Sequence, residues 1–300
     1  MSAIVDLAIA CDMAEYGVPD YTEEDVLSEW GAPRFVLDRD AWVVTGPSER
    51  LSGYADLWDK DPGREFTASM LVHPADWGSG VGEELLRVVE ARTREKLREA
   101  ESPGARLASV IPSVNRARQD LYRTAGYRNS RTYYRMEIDL AGRAPKPAPP
   151  EGIEIRAFRP GLDDRAAHAA IEESFADHFR HVVEPHTEWM AVRTKDPRFT
   201  PELWFLAWDA DEAAGAVLGY DMGDICWIRE LGVRPRWRGR GVGMALLLRS
   251  FAAFQARTRT KICLGVDSEN AYEATRLYER AGMIVGQRHE FWEREIRAEK

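Results

Sequence analysis

The hydrophobic and polar positions of this chain follow one pattern in its first half and repeat it in the second. Each half contains two apolar stretches joined by a polar turn, "AWVVTGPSERLSGYADLWD" and "LWFLAWDADEAAGAVLGYDMGD". Alternating apolar runs around a polar turn predict a β-hairpin. A short strand, a proline, a glycine turn and a long helical pattern come next, in "MLVHPADWGSGVGEELLRVVE" and "LGVRPRWRGRGVGMALLLRSF".

The correspondence continues to the end of each half. A strand, an asparagine and a helix with a Leu-Tyr pair follow in "RLASVIPSVNRARQDLYRTAGYR" and "KICLGVDSENAYEATRLYERAGMI". A glycine stands where each of these helices should stop. Both halves then finish on a strand-like stretch, "TYYRMEIDL" and "RHEFWEREI". Because every element recurs in the same order, the sequence indicates a tandem duplication.

A proline-rich segment separates the two halves. Residues 140–152 have no apolar periodicity, and their composition is typical of a stiff, extended linker. We therefore predict a first domain over residues 1–140, a linker over 141–152 and a second domain over 153–300.

Composition narrows the classes of function. The formal net charge of -9 argues against nucleic acid as a partner, since proteins that bind the phosphate backbone of a nucleic acid are usually basic. No apolar run approaches the roughly 20 residues that span a bilayer, so we expect no membrane association. The three cysteines lie far apart without metal-ligand spacing, which suits a reduced cytoplasm and predicts neither a metal site nor disulfides. We expect a cytoplasmic protein, either a monomer or a homodimer.

The segment Val233 to Leu248 is the most unusual part of the chain. It combines arginines and glycines and then turns apolar, where a helix should begin. A helix N-terminus offers unpaired N–H groups, and glycine lets a ligand approach them. The arginines make an anion, such as a phosphate or pyrophosphate, the expected guest.

Two other phosphate-binding motifs fit this segment poorly. A P-loop would place Lys-Ser or Lys-Thr after the last glycine, but Met244 and Ala245 follow it here. A dinucleotide fingerprint needs the spacing G-x-G-x-x-G, whereas Gly239, Gly241 and Gly243 are two residues apart.

The order of these elements resembles the GNAT superfamily of acyl-CoA-dependent N-acetyltransferases, and specifically its tandem, mycothiol synthase-like members. The pyrophosphate motif [QR]-x-x-G-x-[GA] corresponds to Arg238–Gly243, and "ENAYEATRLYERAGM" follows with Asn270 and Tyr278. The resemblance covers nearly all of both halves. It implies two α/β (α+β) domains, each a twisted, mixed, largely antiparallel sheet flanked by helices, whose central strands separate where the cofactor enters.

The resemblance implies that acetyl-CoA binds the second half as the acyl donor, without a metal. The pantetheine arm should pair with the strand before the arginine-glycine turn, and the turn should hold the pyrophosphate through N–H groups and the helix dipole. Asn270 should add a contact, although it also suits a helix N-cap. The strand and turn residues are Leu231, Gly232, Val233, Arg238, Gly239, Arg240, Gly241, Val242, Gly243 and Met244.

Two residues of the second half are candidates for the chemistry. Glu230 lies where members of this family often keep a carboxylate that deprotonates the amine; the alternative is a salt bridge with Arg229 or another neighbour. Tyr278 matches the family tyrosine that protonates the leaving thiolate, and its alternative is an ordinary core tyrosine. Strand N–H groups should polarise the thioester carbonyl, and attack should be direct, without an acyl-enzyme.

The first half departs from this pattern. Alignment places Trp77 opposite Arg238, Ser79 opposite Arg240 and Ser69 opposite Glu230, so two cations and the candidate base are lost. Several backbone positions are kept, which leaves either a weaker second cofactor site or a degenerate domain kept for stability. The residues of that weaker site are Leu71, Val72, Gly80 and Gly82, and Asn115 and Tyr122 are also retained.

The acceptor is the least determined part of the prediction. We expect a small-molecule amine, acetylated in the second domain, and the tandem layout leaves open a mycothiol synthase that acetylates a cysteinyl amine. A non-catalytic acyl-CoA-binding or sensing protein is the alternative from another class. Helices over residues 166–196 should wall the acceptor pocket; its candidate residues are Phe175, His178, Phe179, His181, Glu184 and Trp189.

Overall fold

The computed structural model describes residues 1–32, 34–46, 50–142, 147–179, 181–223, 225–270, 272 and 274–298. It divides into two compact units, Met1–Tyr133 with Gln287–Lys300, and Tyr134–Gly286. Each unit is a mixed sheet flanked by helices, so the predicted fold class is confirmed.

The first unit contains five helices among its described residues: α1 (Ser2–Glu15), α2 (Glu23–Trp30), α3 (Leu37–Asp40), α4 (Val81–Glu99) and α5 (Arg116–Thr124). Its strands are β1 (Ala41–Thr45), β2 (Leu51–Asp61), β3 (Glu65–Val72), β4 (Gly104–Pro112) and the greater part of β11 (Ile284–Arg297). They form the order β1-β2-β3-β4-β11, in which only β3 and β4 are parallel.

The second unit repeats this plan. Its described helices are α6 (Asp164–Phe175), α7 (His186–Lys195), α8 (Val242–Ala256) and α9 (Ala274–Arg280). Its strands are β6 (Ile153–Ala157), β7 (Trp204–Asp209), β8 (Glu212–Asp221), β9 (Cys226–Val233) and β10 (Lys261–Asp267), with the end of β5 (Arg128–Asp139) beside β10. Strands β9 and β10 are its parallel pair.

The grouping of the last strand differs from the predicted domain division. Residues 287–300 belong to the first unit, where β11 runs antiparallel to β4 from His289 opposite Pro112 to Arg297 opposite Gly104. Residues 134–140 of the predicted first domain belong to the second unit. Within the predicted linker, residues 143–146 lie outside the described residues.

Each parallel pair opens along its length. In the second unit, β9 and β10 pair only from Cys226 to Ile228, and the remainder of each strand diverges. In the first unit, β3 and β4 pair only from Glu65 to Thr67. Since unpaired strand ends expose N–H and C=O groups, each opening offers a backbone surface to an extended ligand.

Large apolar side chains close both faces of each sheet. Phe251 and Phe254 of α8 are fully buried against one face of the second unit, and Trp189 and Trp204 against the other. No helix in the described part of the chain is long and apolar enough to cross a membrane. All three cysteines lie in the described part of the chain, where they are buried and form no disulfide.

Candidate active site

A β-bulge shapes the strand that carries the candidate base. Leu218 of β8 pairs with Glu230, but the next residue, Gly219, pairs with Ile228, so Arg229 is an extra residue on β9. A bulge bends a strand and changes the direction of its side chains. At the corresponding place of the first unit, Asp56 of β2 pairs with Ser69 without a register shift. The second unit alone therefore has a bulge beside this position.

Glu230 is held by an arginine that sequence reasoning did not find. Its Oε1 accepts a hydrogen bond from Arg193 of α7 at 2.5 Å, and the two side chains are only 22% and 13% exposed. The salt bridge that was the alternative role of Glu230 is therefore present, and its partner is Arg193. Arg229 pairs with Asp196 at 2.9 Å. Among the described residues, nothing hydrogen-bonds the buried Oε2 of Glu230. That oxygen remains available to accept a proton.

Three further contacts hold the side chain of Arg193 in place. It also donates to Glu184 at 3.1 Å and to the carbonyl of Trp189 at 3.0 Å, and its guanidinium lies 4.1 Å from the centre of the Trp189 ring. Burial by itself would lower the pKa of Arg193, but Glu230 and Glu184 together raise it. Arg193 is therefore a fixed cation that orients Glu230.

A double-mutant cycle measures the coupling free energy between Arg193 and Glu230. Arg193→Met leaves a largely buried carboxylate without its cation, and we expect it to lower the free energy of unfolding by about 3 kcal/mol. Combining it with Glu230→Gln should give a coupling energy of about 1–3 kcal/mol in urea denaturation, since the second change removes the stranded charge. Additive effects of the two substitutions would show that the ion pair contributes nothing to the fold.

The tyrosines that correspond in the two units differ in their hydroxyl groups. Tyr122 donates to Ser109 Oγ at 2.7 Å and contacts Met70 Sδ at 3.2 Å. The Tyr278 hydroxyl has no hydrogen-bond partner among the described residues, although its side chain is buried. Burial raises the pKa of Tyr278, so the group is protonated near neutral pH. Tyr278 thus keeps its proton near neutral pH, and no described residue hydrogen-bonds its hydroxyl.

The second unit has a glycine on β10 at the position of Ser109, whose hydroxyl is the hydrogen-bond partner of Tyr122 in the first unit. The last residues of the two parallel pairings correspond: Thr67 pairs with Ala108 in the first unit, and Ile228 pairs with Leu264 in the second. The next residue on each second strand is then Ser109 in the first unit and Gly265 in the second. A Cβ added to Gly265 would meet no atom within 4 Å. The strand opening therefore has free space in the second unit where the first has a serine bonded to its tyrosine.

The arginine-glycine turn has the backbone geometry expected of an anion cradle. Gly239 and Gly241 have φ angles of 74° and 83°, a region that glycine enters without strain. Helix α8 begins at Val242 without a side-chain cap, and its first internal hydrogen bond runs from Ala245 to Gly241. Within the described chain, the N–H groups of residues 242–244 have no acceptor. They are free to bind a ligand.

The arginine side chains of this turn are engaged with the protein. Arg238 donates to the carbonyls of Val233 and Ser174, each at 3.0 Å, and lies 3.8 Å from the centre of the Tyr272 ring. Arg240 lies 3.5 Å from Asp209. In the first unit, Trp77 donates to Val72 at 2.9 Å, as Arg238 does to Val233. Arg238 therefore fixes the turn, and its binding of the cofactor stays a prediction.

Asn270 lies in the loop before α9, and its side chain contacts two described residues. Its Oδ1 accepts from the N–H of Tyr272 at 2.9 Å, and α9 starts at Ala274. Its Nδ2 lies 3.2 Å from Nε2 of His178, one of the predicted acceptor-pocket residues. In the first unit, Asn115 is the N-cap of α5 and bonds Glu15 at 2.6 Å. Asn270 thus connects its loop to the segment after α6.

The first unit also has a carboxylate near the position of Glu230, but it lies on the neighbouring strand β2. Asp56 of β2 is fully buried and accepts from Tyr54 at 2.8 Å and from the N–H of Ser69 at 3.1 Å. Burial raises the pKa of Asp56 to about 7. Trp30 of α2 completes the cluster by donating to Tyr54 at 3.0 Å. The protein's own side chains therefore occupy the face on which Glu230 lies in the second unit.

The residues predicted to wall the acceptor pocket lie on α6, α7 and the segment between them. Trp189 is fully buried in the apolar cluster under α6 and α7, so it is a core residue. His181 pairs with Glu172 at 3.0 Å, and Phe175 stacks on His178 at 4.4 Å. Burial lowers the pKa of His178. In the described part of the chain, no group of three or more His, Cys, Asp or Glu side chains is arranged to hold a metal ion.

Comparison with known proteins decides the family. The profile of the Acetyltransferase (GNAT) family matches residues 1–127 and 168–283, one region in each half. The chain belongs to the GNAT acetyltransferase family. It is therefore an acetyltransferase with tandem GNAT domains, as its repeat predicted.

Several relatives and solved structures match almost the whole chain. A mycothiol acetyltransferase of Thermobispora bispora is 31% identical over 93% of this chain and 91% of its own length. A GCN5-related N-acetyltransferase from Sphaerobacter thermophilus superposes with a TM-score of 0.86 at 33% identity, covering 98% of this chain and 92% of the other. A tandem GNAT protein from the clavulanic acid biosynthesis pathway shares the fold, with a TM-score of 0.72 at 18% identity over 100% and 95% of the two chains.

The turn of this GNAT domain offers a direct test of backbone binding. Gly241→Ala places a Cβ at a φ of 83°, which costs about 1–2 kcal/mol, so we expect the Kd for acetyl-CoA to rise about tenfold in calorimetry. Gly161→Ala is the matched control, since Gly161 has a φ of 79° and open space around it outside the turn. Equal affinities in the two variants would contradict a role for the turn.

Proposed function

We propose that the second unit transfers an acetyl group from acetyl-CoA directly to the amine of a small molecule. The observation that carries this proposal is the contrast between corresponding positions of the two units. In the second, one carboxylate oxygen of Glu230 and the hydroxyl of Tyr278 have no hydrogen-bond partner among the described residues. In the first, Ser69 replaces the glutamate and the hydroxyl of Tyr122 is bonded in the core.

The reaction needs one proton removed and one supplied. The amine nitrogen attacks the thioester carbonyl carbon, and Glu230 Oε2 takes the proton that the nitrogen loses, directly or through water. The C–S bond then breaks, and the Tyr278 hydroxyl protonates the departing thiolate. Because attack is direct, much of the rate comes from holding the amine and thioester together, and no covalent acyl-enzyme forms.

The cofactor is bound chiefly by backbone groups. The pantetheine arm pairs with β9 at Leu231, Gly232 and Val233, along the edge from which β10 has diverged. The pyrophosphate lies on the N–H groups at the start of α8, in the turn from Arg238 to Met244, and Asn270 supplies a contact from the loop after β10.

The acceptor that we propose first is a cysteinyl amine. This assignment rests on the names of the relatives, several of which are mycothiol acetyltransferases about 30% identical to this chain. A different small-molecule amine is the second candidate, since the contacts of α6 and α7 do not by themselves specify an acceptor.

The first unit is proposed to bind acyl-CoA more weakly and not to catalyse. Its turn keeps the positive φ angles, 76° at Gly78 and 95° at Gly80, and α4 likewise starts without a side-chain cap. Leu71 and Val72 lie on the diverging end of β3, and Gly82 lies in the first turn of α4. The alternative is a first unit that serves only the stability of the chain.

An acceptor panel tests this proposal. Acetyl-CoA and purified protein are mixed with a cysteinyl glucosaminyl inositol, amino acids, polyamines and aminoglycosides, and kcat/KM is measured for each. We expect one class of amine to exceed the others by at least about 100-fold, as pockets that hydrogen-bond their substrate achieve. A flat response across the panel would contradict a dedicated small-molecule acceptor.

A further inference from the structure

A cleft of about 580 Å³ opens in the first unit between α4 and α5. It adjoins the diverging end of β3 and the glycine turn before α4, where the second cofactor site is proposed. The residues of its wall that matter here are Val72, Trp77, Gly82, Leu86, Arg118 and Leu121.

Arg118 is a buried cation that pairs with no carboxylate among the described residues. Its side chain lies in the cleft wall, and the residue is only 8% exposed. Within the described part of the chain, no carboxylate lies within 4 Å of it, and its Nε makes no hydrogen bond. Among the described residues, the guanidinium donates one long bond, at 3.4 Å, to the carbonyl of Val110 and also interacts with the hydroxyl of Tyr122; neither partner carries a charge. Because a buried charge is costly unless paired, this arrangement indicates an anionic ligand.

The other ionic groups of the cleft are already engaged. Arg87 pairs with Glu84 at 2.6 Å, and Arg294 pairs with Glu90 at 3.0 Å. Asp120 pairs with Arg123, and Glu83 faces solvent at the rim. Among these groups, Arg118 is the cation that a ligand's negative charge would compensate.

Arg118 lies beside the strand opening of the first unit, because it lines the cleft together with Val72 of β3 and its guanidinium donates to the carbonyl of Val110 on the diverging end of β4. Burial raises the pKa of Tyr122, the counterpart of Tyr278, and Arg118 opposes that rise. Burial and Glu15 likewise raise the pKa of Cys11 to about 12, and Arg118 again acts in the opposite direction. Cys11 contacts the carbonyl of Val72 at 3.3 Å, at the end of β3. The guanidinium is therefore close to where an acyl group would enter the strand opening.

We propose that the first unit binds an acyl-CoA whose acyl chain ends in a carboxylate, and that Arg118 pairs with that carboxylate. This rests on the acyl-CoA site proposed for the first unit and is independent of the transfer proposed for the second. The glycine turn and strand edge hold the CoA portion, and Arg118 selects the charged acyl end. The Tyr122 hydroxyl is bonded to Ser109, so the ligand is held and not turned over.

Titration calorimetry of the full chain tests this assignment with CoA, acetyl-CoA, succinyl-CoA and free succinate. We expect wild type to bind two equivalents of succinyl-CoA, with the first-unit site weakened at least about 30-fold in Arg118→Met. Arg123→Met is the matched control, because Arg123 lies on the same helix, is exposed and pairs with Asp120. Arg118→Lys keeps the charge and should recover part of the affinity.

Three results would overturn the assignment. If acetyl-CoA fills the first unit as tightly as succinyl-CoA in both wild type and Arg118→Met, the acyl-CoA site stands but the carboxylate preference is wrong. If wild type binds only one equivalent of any CoA ligand, the first-unit site fails as well. If free succinate binds as tightly as succinyl-CoA, the site is one for small dicarboxylates, and the CoA portion plays no part.

Thermal denaturation separates ligand binding from a structural role. A ligand-binding Arg118 leaves an uncompensated charge in the unliganded protein, so Arg118→Met should unfold at the same temperature as wild type or a higher one. Succinyl-CoA should then raise the unfolding temperature of wild type more than that of the variant. A variant that unfolds several degrees lower without ligand would show that Arg118 serves the fold.

Discussion

Glu230→Gln is expected to lower kcat for amine acetylation by about 10²–10⁴-fold, the range typical of a lost general base. Glutamine preserves the size of the side chain but cannot accept the amine proton. Glu230 is separate from the turn before α8, so the Kd for acetyl-CoA should not change. Steady-state kinetics with saturating acetyl-CoA, together with calorimetry of cofactor binding, measure both quantities.

Glu184→Gln is the matched control for this substitution. Glu184 is the other carboxylate that pairs with Arg193, at 3.1 Å, but it is not on β9. Because Glu184 is also a predicted acceptor-pocket residue, Glu184→Gln should raise the KM for the amine; if Glu230 acts as the base, it should retain most of kcat. Similar losses in the two variants would show that the charge around Arg193 matters and would remove the base assignment from Glu230.

Tyr278→Phe is expected to lower kcat by about 10²-fold without lowering the free energy of unfolding. The hydroxyl has no partner among the described residues, so its removal breaks no internal hydrogen bond. The loss of rate follows because the thiolate then leaves without a proton donor. Parallel kinetics and urea denaturation measure the two effects on one preparation.

Tyr122→Phe should give the opposite result. Its hydroxyl bonds Ser109 at 2.7 Å in a fully buried position, so the change should cost about 1 kcal/mol of stability and leave kcat unchanged. If Tyr278→Phe also lowers stability and leaves kcat unchanged, Tyr278 is an ordinary core tyrosine, and the acid must be found elsewhere.

The local parts of the fold could be predicted from the sequence. Each hairpin, glycine turn and long helix follows from periodicity and turn residues that lie close together in the chain. The position of β11 could not be predicted in this way. Its pairing with β4 joins residues such as His289 and Pro112, which are distant in sequence, and many strands would satisfy the same apolar pattern.

The candidate site shows the same limit. Glu230 and Tyr278 were found because they adjoin recognisable motifs, whereas Arg193 has no local signal and reaches Glu230 only through the packing of α7. The bulge at Arg229 and the carboxylate at Asp56 depend on strand register, which the sequence alone does not fix.

Catalysis of acetyl transfer, as distinct from binding of acyl-CoA alone, can be measured as release of the CoA thiol from acetyl-CoA, with and without amine, followed by mass spectrometry of the amine. Thiol release should require an amine and should equal the N-acetylated product one for one. If acetyl-CoA binds but no amine causes thiol release, the protein does not catalyse this transfer, and a sensing protein is favoured.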